Sequence, residues 1–265
     1  MRIHTSPLLC GALALVLAAC SSTSKDRTEN WSADRLYSEA RGELNSANFE
    51  KAVPLLERLE GRAAGTTLAQ QAQIDKAYAQ YKDGKGAEAI ATLDRFMQLH
   101  PTSEAVDYAL YLKGLINFSD NPGLFSWLSP QDLSERDQRA AKESFEAFKE
   151  LTDRYPQSRY APDAAQRMLY IVNALAAYEV HVARYYYSRG AYVAAINRAQ
   201  MAIGDYKEAP ALAEALEILE KSYDKLGMTD LRDDTRRVRQ ASFPQGGQGG
   251  AAAPEAKPAW WKFWK

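Results

Sequence analysis

The sequence predicts an all-α fold, a solenoid of five helix pairs, and three observations carry that expectation. Between Trp31 and Ser242 the residues Ala, Leu, Glu, Arg and Gln dominate, and apolar positions recur at spacings of three and four, the period of an amphipathic helix. No segment alternates apolar and polar residues as a half-buried strand does. The chain also repeats itself every 37 residues: Ala40, Ala77 and Gly114 share one register, Leu44, Tyr81 and Phe118 another, and Ala52 with Ala89 and Leu56 with Leu93 two more. Near the C-terminus the same interval separates Tyr186 from Tyr223 and Gly190 from Gly227. Such a period marks a supersecondary element that cannot bury its apolar face alone and stacks on copies of itself.

Each copy follows one plan: a first helix with a small residue and a large one a turn later, a turn carrying Gly, and a second helix with a small residue and two larger ones. Small against large lets two helices approach closely and interlock. This resembles the tetratricopeptide repeat, and the resemblance implies a right-handed superhelical solenoid of five tetratricopeptide-like helix pairs. The second repeat matches best, through Ala77, Tyr81, Gly84, Ala89, Leu93, Phe96 and Pro101. The first carries Ala40, Leu44, Ala52 and Leu56. The third begins with Tyr111, Gly114 and Phe118 and finishes with Ser144, Phe148, Leu151 and Pro156, so it holds 18 extra residues, an insertion predicted over about 119–138. That insertion contains an Asn121-Pro122-Gly123 turn followed by Leu124, Phe125, Trp127 and Leu128. The fourth repeat has a long first helix starting near Pro162 and ending at Gly190, followed by Tyr192, Ala195, Ala199 and Ala202. The fifth keeps Leu216, Leu219, Tyr223 and Gly227 but puts Arg232 where Ala is expected, as a terminal repeat with one face in water can.

The ends of the chain read differently. Arg2 and His4 precede an apolar run from Leu8 to Ala19, about 12 residues where a transmembrane helix needs about 20. It reads as the h-region of a signal peptide over 1–19. The run closes on Leu17-Ala18-Ala19-Cys20, which resembles the lipobox of bacterial lipoproteins and implies lipid on Cys20 as a membrane anchor. Ser21, rather than Asp, then implies the periplasmic face of the outer membrane. With Cys10 in the signal and Cys20 lipidated, no thiol remains for a disulfide or a catalyst. Residues 20–30 are expected to be a polar tether, 31–242 the solenoid, and 243–265 a Pro/Gly/Ala tail ending in Trp260-Trp261-Lys262-Phe263-Trp264-Lys265. Alternating aromatic and cationic residues in that tail suit a lipid headgroup zone or a docking groove.

Several function classes lose support from composition. Lys and Arg total 33 against 34 Asp and Glu, which leaves no broad positive field, so no nucleic-acid partner is expected. His100 and His181 lie in different repeats and no metal-ligand spacing occurs, so neither catalysis nor a metal or other cofactor is expected. His100, just before Pro101, suits a helix C-terminus. Lys82-Asp83-Gly84-Lys85-Gly86 lacks the preceding strand and following Ser/Thr of a phosphate loop and reads as a repeat turn. The acids Glu143 and Glu146 suit a solvated helix face.

Binding is what remains. In tetratricopeptide repeats the first helices line the concave side, and that projection selects Tyr37, Arg41 and Leu44, then Ile74, Tyr78 and Tyr81, then Tyr108, Tyr111, Leu115 and Phe118. Tyrosines of this kind combine apolar area with a hydroxyl and suit an extended segment bearing aromatic side chains.

Lipobox, five repeats and an insertion carrying Asp132-Leu133-Ser134-Glu135-Arg136-Asp137 together resemble the BamD, or ComL, family of outer-membrane assembly lipoproteins. Further matching stretches are Tyr108 to Leu115 and Gly190 to Arg198. The resemblance implies a non-catalytic scaffold of the β-barrel assembly machinery. Its N-terminal repeats would receive unfolded outer-membrane proteins, and its C-terminal repeats would dock on the POTRA domains of a BamA-like barrel subunit. The lipoproteins BamC and BamE are further implied partners. The implied barrel-subunit interface centres on Asn197, Arg198 and Met201. Arg198 lies about 60° from the inward stripe Ala195, Ala199 and Ala202, with no acid three or four residues away, so its guanidinium is expected to be free for another chain. The competing reading is an envelope lipoprotein adaptor for pilus or peptidoglycan-processing proteins, which needs the repeats but not the insertion.

Overall fold

The computed structural model describes residues 28–119, 135–207 and 209–244. Regular structure among them is helical throughout: α1 (Ala33–Asn45), α2 (Phe49–Arg62), α3 (Thr67–Lys82), α4 (Gly86–Leu99), α5 (Val106–Ser119), α6 (Glu135–Arg154), α7 (Ala161–Ser188), α8 (Tyr192–Asp205), α9 (Leu212–Lys225) and α10 (Thr229–Ser242). These form five hairpins, α1/α2 to α9/α10, at the positions set by the 37-residue period. The predicted signal sequence, Cys20 and the Trp-rich end of the tail lie outside the described residues.

The chain divides into two compact units, Met1–Ala72 and Gln73–Lys265, with the boundary inside α3. In the first, Ser32 caps α1 by accepting a bond from the Arg35 amide at 3.2 Å. Leu36 and Ala40 of α1 and Ala52, Leu56 and Leu59 of α2 are fully buried. The fold starts before the predicted tether ends. Arg62 donates to the carbonyls of Trp31 at 3.0 Å and Glu29 at 2.8 Å, and Arg35 lies 4.4 Å over the Trp31 ring.

In the second unit each first helix packs on the second helix of its own hairpin and on that of the hairpin before: α5 against α4 and α6, α7 against α6 and α8, α9 against α8 and α10. That neighbour-to-neighbour pattern is how repeats bury a continuous core. One register explains it. Second helices bury the same three positions completely: Ala89, Leu93 and Phe96 in α4, Ser144, Phe148 and Leu151 in α6, Ala195, Ala199 and Ala202 in α8. Facing them, first helices keep one small residue, Ala77, Gly114 or Ala183. The fit is tightest in the third hairpin, where a Cβ on Gly114 would fall closer than 3.0 Å to the Phe148 ring. The Ser144 hydroxyl donates to the Gly114 carbonyl at 2.8 Å, so the one polar residue at that position is satisfied.

Four of the hairpin turns share one set of bonds. Asn48, Lys85, Ala191 and Met228 each donate their amide to the carbonyl five residues earlier, at 2.9, 2.8, 3.0 and 2.9 Å, the Schellman arrangement. It needs a left-handed residue just before the donor, and Gly84, Gly190 and Gly227 supply it at φ of 76, 77 and 69°. The first turn uses Ala47 at φ 57°.

The third hairpin accommodates its 18 extra residues in two ways. The connection after α5 has 15 residues, 120–134, against three after α3, and α6 has 20 residues against 14 in α4. Helix therefore covers the end of the predicted insertion from Glu135, while 120–134 lies outside the described residues. The fifth hairpin changes the seam itself, since α10 has no buried residue. At the three inward positions stand Arg232, Arg236 and Arg239, and Glu220 of α9 occupies the small-residue position. Glu220 accepts from Arg236 at 2.8 Å and Arg239 at 2.9 Å, and Arg232 pairs with Asp224 at 3.0 Å.

Candidate functional site

The predicted groove residues of the second unit meet around the start of α7. Tyr108 and Tyr111, three apart on α5, share a face, and Tyr160 at the N-terminus of α7 reaches it. The Tyr111 ring stacks on Tyr160 at 4.7 Å and 19°, and Tyr108 lies 5.3 Å from the same ring. The Tyr111 hydroxyl donates to Asp163 Oδ2 at 2.8 Å, and Arg167 Nε donates to the same oxygen at 2.5 Å. The Arg167 guanidinium sits 5.0 Å from the Phe118 ring centroid, which in turn meets Tyr170 edge-on at 5.8 Å. Burial, and then the bond to Asp163, push the Tyr111 hydroxyl up to about 12. Burial, with neighbouring tyrosines and Asp75, drives Tyr108 further up. Both phenols stay protonated at physiological pH and act as hydrogen-bond donors.

Other predicted members fall differently. Tyr78 and Tyr81 are half-buried and pack against the same core, and each already has an interaction partner. Leu115 and Phe118 are half-buried there too. Ile74 is not a groove residue: it is 4% exposed and belongs to the buried cluster of Ala109, Leu110 and Leu112. Helical position alone placed it on the open side, whereas packing between successive hairpins encloses it. Tyr37 and Leu44 are half-buried and Arg41 exposed, all on α1 of the first unit.

The α8 residues are accessible, with one correction. Asn197 and Met201 are exposed, and Val193, one turn earlier, extends their stripe at 60% exposure. Arg198 is not free. Its Nη1 lies 3.1 Å from Glu179 Oε2, and Glu179, on α7, is only 4% exposed. Helical spacing reaches only partners on α8 itself, while the acid comes from the helix packed beside it. Glu179 stands in an apolar helix, and a buried carboxylate there needs a cation from a neighbour. Val193 was legible too, as an apolar residue opposite the alanine stripe.

His100 caps α4, with its ring 5.3 Å from Phe96, and His181 is exposed on α7. Glu143 and Glu146 are exposed as expected, Glu143 pairing with Arg139. Among the described residues no group of three or more His, Cys, Asp or Glu is placed to hold a metal ion, and no helix is long and apolar enough to cross a membrane. The described geometry is that of a helical-repeat protein with half-buried aromatic side chains around Tyr160 and exposed apolar and polar ones on α8.

Comparison with known proteins narrows that class. Residues 29–238 match the YfiO family model, described as outer membrane lipoprotein. A Neisseria meningitidis serogroup A protein named outer membrane protein assembly factor BamD is 46% identical over 263 residues, covering 97% of this chain and 98% of its own. Proteins of the same name from Vibrio cholerae and Xylella fastidiosa strain Temecula1 are 38% and 34% identical, covering 88% and 91% of this chain and 96% and 83% of theirs. The chain belongs to the YfiO family of outer membrane lipoproteins, the family of the BamD assembly factors.

Proposed function

We propose that the protein is a non-catalytic scaffold of the β-barrel assembly machinery, held by lipid on Cys20 at the periplasmic face of the outer membrane. The family relation carries this reading, since relatives aligned over almost the whole chain are named for assembly of outer-membrane proteins. Cys20 to Ala should release the protein from membranes and leave its helical content unchanged.

Within that role, the tyrosines around Tyr160 receive extended segments of unfolded outer-membrane proteins. Tyr108 and Tyr111 offer aromatic area already held in place by Tyr160 and by the Tyr111–Asp163 bond, which limits the entropy lost on binding. The α8 stripe of Val193, Asn197 and Met201, with Arg198 at its edge, docks on the POTRA domains of a BamA-like subunit, and lipoproteins such as BamC and BamE join the same assembly. Pull-down from solubilised outer membrane tests the scheme. Recovery of a large barrel protein with POTRA domains supports it; recovery of pilus or peptidoglycan-processing proteins in its place overturns it.

A further inference from the structure

Helix α10 is inside out relative to the other second helices. Its inward positions carry Arg232, Arg236 and Arg239, and its large apolar residues Leu231 and Val238 are 48% and 52% exposed. At 100° per residue Leu231, Thr235 and Val238 fall within about 60° of one another, a single stripe beside the arginines. The Thr235 hydroxyl is bonded to the Leu231 carbonyl at 2.7 Å, so it does not make the stripe polar. Met228, 45% exposed, lies at the N-terminal end of α10. Asp230 and Asp234 border the stripe on the side away from the arginines. Single exposed apolar residues are ordinary, but a row of them on a helix that buries nothing is a docking surface.

We propose that this stripe is covered by the chain's own C-terminal segment, through Trp260, Phe263 and Trp264, so that the aromatic residues cover α10 as a following first helix covers the other second helices. Three features select this occupant. Fifteen residues, 245–259, rich in Gly, Ala and Pro, separate the described chain from Trp260, and a Gly-rich sequence of that length has a root-mean-square span of about 20 Å. Helix α10 has 14 residues and is about 20 Å long, so the linker matches the distance to be covered and the effective concentration is near its maximum. Lys262, between the aromatics, and Lys265, after them, carry charge that Asp230 can meet at the border of the stripe, while Asp234 there is paired with Arg237. The inference does not depend on the lipid anchor or on any assembly partner.

The test uses the full chain with Cys10→Ser and Cys20→Ser, which leaves Thr235→Cys as its only thiol, labelled with bimane, a fluorophore quenched by contact with tryptophan. A local concentration in the millimolar range makes even a millimolar contact about half occupied, so emission should be lowered about twofold or more. Changing Trp260, Trp261 and Trp264 together to Ala should restore it, and so should Leu231→Glu with Val238→Glu, both with unchanged helical circular dichroism. Emission that the tryptophan changes do not alter would overturn the proposal. Quenching that grows with protein concentration would assign the stripe to a second copy instead. Unquenched bimane, with tryptophan emission shifting only on adding phosphatidylglycerol vesicles, would assign the segment to the membrane.

Discussion

The fourth and fifth hairpins have second helices of 14 residues each and the same turn, yet opposite chemistry joins their helices. Three alanines, Ala195, Ala199 and Ala202, line the fourth seam beside the single Glu179–Arg198 pair; 37 residues on, Arg236 and Arg239 close the fifth around Glu220 and Arg232 pairs with Asp224. The register thus survives an exchange of the forces acting in it. A seam with neighbours on both sides holds a polar group only with its partner beside it, as Ser144 has the Gly114 carbonyl and Glu179 has Arg198, because the group loses water on every side. Among the described residues no further hairpin covers the last seam, and its ion pairs keep part of their hydration. Exposed and half-exposed pairs contribute about 0–1 kcal/mol each, about what one buried methyl group does, and α10 buries no residue, whereas α8 buries four. The fifth hairpin should therefore be the softer of the two.

The sharpest break of this comparison lies in an apolar seam. Phe148→Ala empties the space over Gly114 and should cost about 3–5 kcal/mol in chemical denaturation. Gly114→Ala should also destabilise by overpacking, and Phe148→Leu should recover part of that loss, a coupling that two independent sites would not show.

The apolar seams were legible in the sequence because they repeat: a small residue on the first helix, then a small one and two larger ones on the second, appears in the first three copies, and Gly84, Gly190 and Gly227 mark the turns. The ionic seam was half legible. Arg232 stood out as a departure, but the register of Arg236 and Arg239 against Glu220 emerges only when the two helices are paired. Arg198 shows the limit most clearly. Helical spacing identifies partners on one helix, whereas Glu179 is 19 residues away and meets Arg198 only through the packing of α7 on α8. Ile74 failed for a similar reason, since its burial depends on neighbouring helices and not on its own periodicity.

That ion pair gives the second prediction. Arg198→Glu places two carboxylates together with Glu179 nearly enclosed, and it should cost about 2 kcal/mol, less than a fully buried pair because Arg198 is itself partly solvated. A fall in melting temperature is expected with this variant, so loss of partner binding by it would be ambiguous. Met201→Glu leaves the pair intact and should keep the melting temperature while abolishing co-purification with the barrel subunit. Normal co-purification of Met201→Glu would remove the α8 stripe from the proposed interface.

The ionic seam should respond to solution conditions that leave the apolar seams unchanged. Partial burial raises the affinity of Glu220 for a proton, but hydrogen bonds from Arg236 and Arg239 outweigh it and hold the carboxyl below its ordinary value of 4.5. A depressed carboxyl stabilises the fold above its ordinary value, and that contribution is lost as pH falls through the lower, folded one. Amide exchange in α10 should therefore accelerate below about pH 4, relative to α8, after correction for intrinsic rates. Glu220→Gln should remove the difference and cost about 1 kcal/mol at neutral pH. Equal pH dependence of α8 and α10 in the unaltered protein would show that the ion pairs do not hold the last hairpin.

The smallest effect concerns the turns, where the first hairpin departs from the others. Ala47 occupies the left-handed position that Gly84, Gly190 and Gly227 fill elsewhere. A side chain there costs about 1–2 kcal/mol, through the approach of its Cβ to the following carbonyl. Replacing it by Gly removes that strain but gives the unfolded chain more freedom, worth about 0.5–1 kcal/mol in the opposite direction. Ala47→Gly should accordingly stabilise the first hairpin by about 0.5–1 kcal/mol, read as a higher denaturant midpoint with an unchanged slope. Gly84→Ala and Gly190→Ala should lose a similar amount. Nothing lies within 4 Å of a Cβ built at either glycine, so the loss would be conformational and not steric. If Ala47→Gly instead lowers the midpoint, the freedom gained by the unfolded chain outweighs the strain at φ 57°, and the alanine is as well suited to this turn as glycine is to the others.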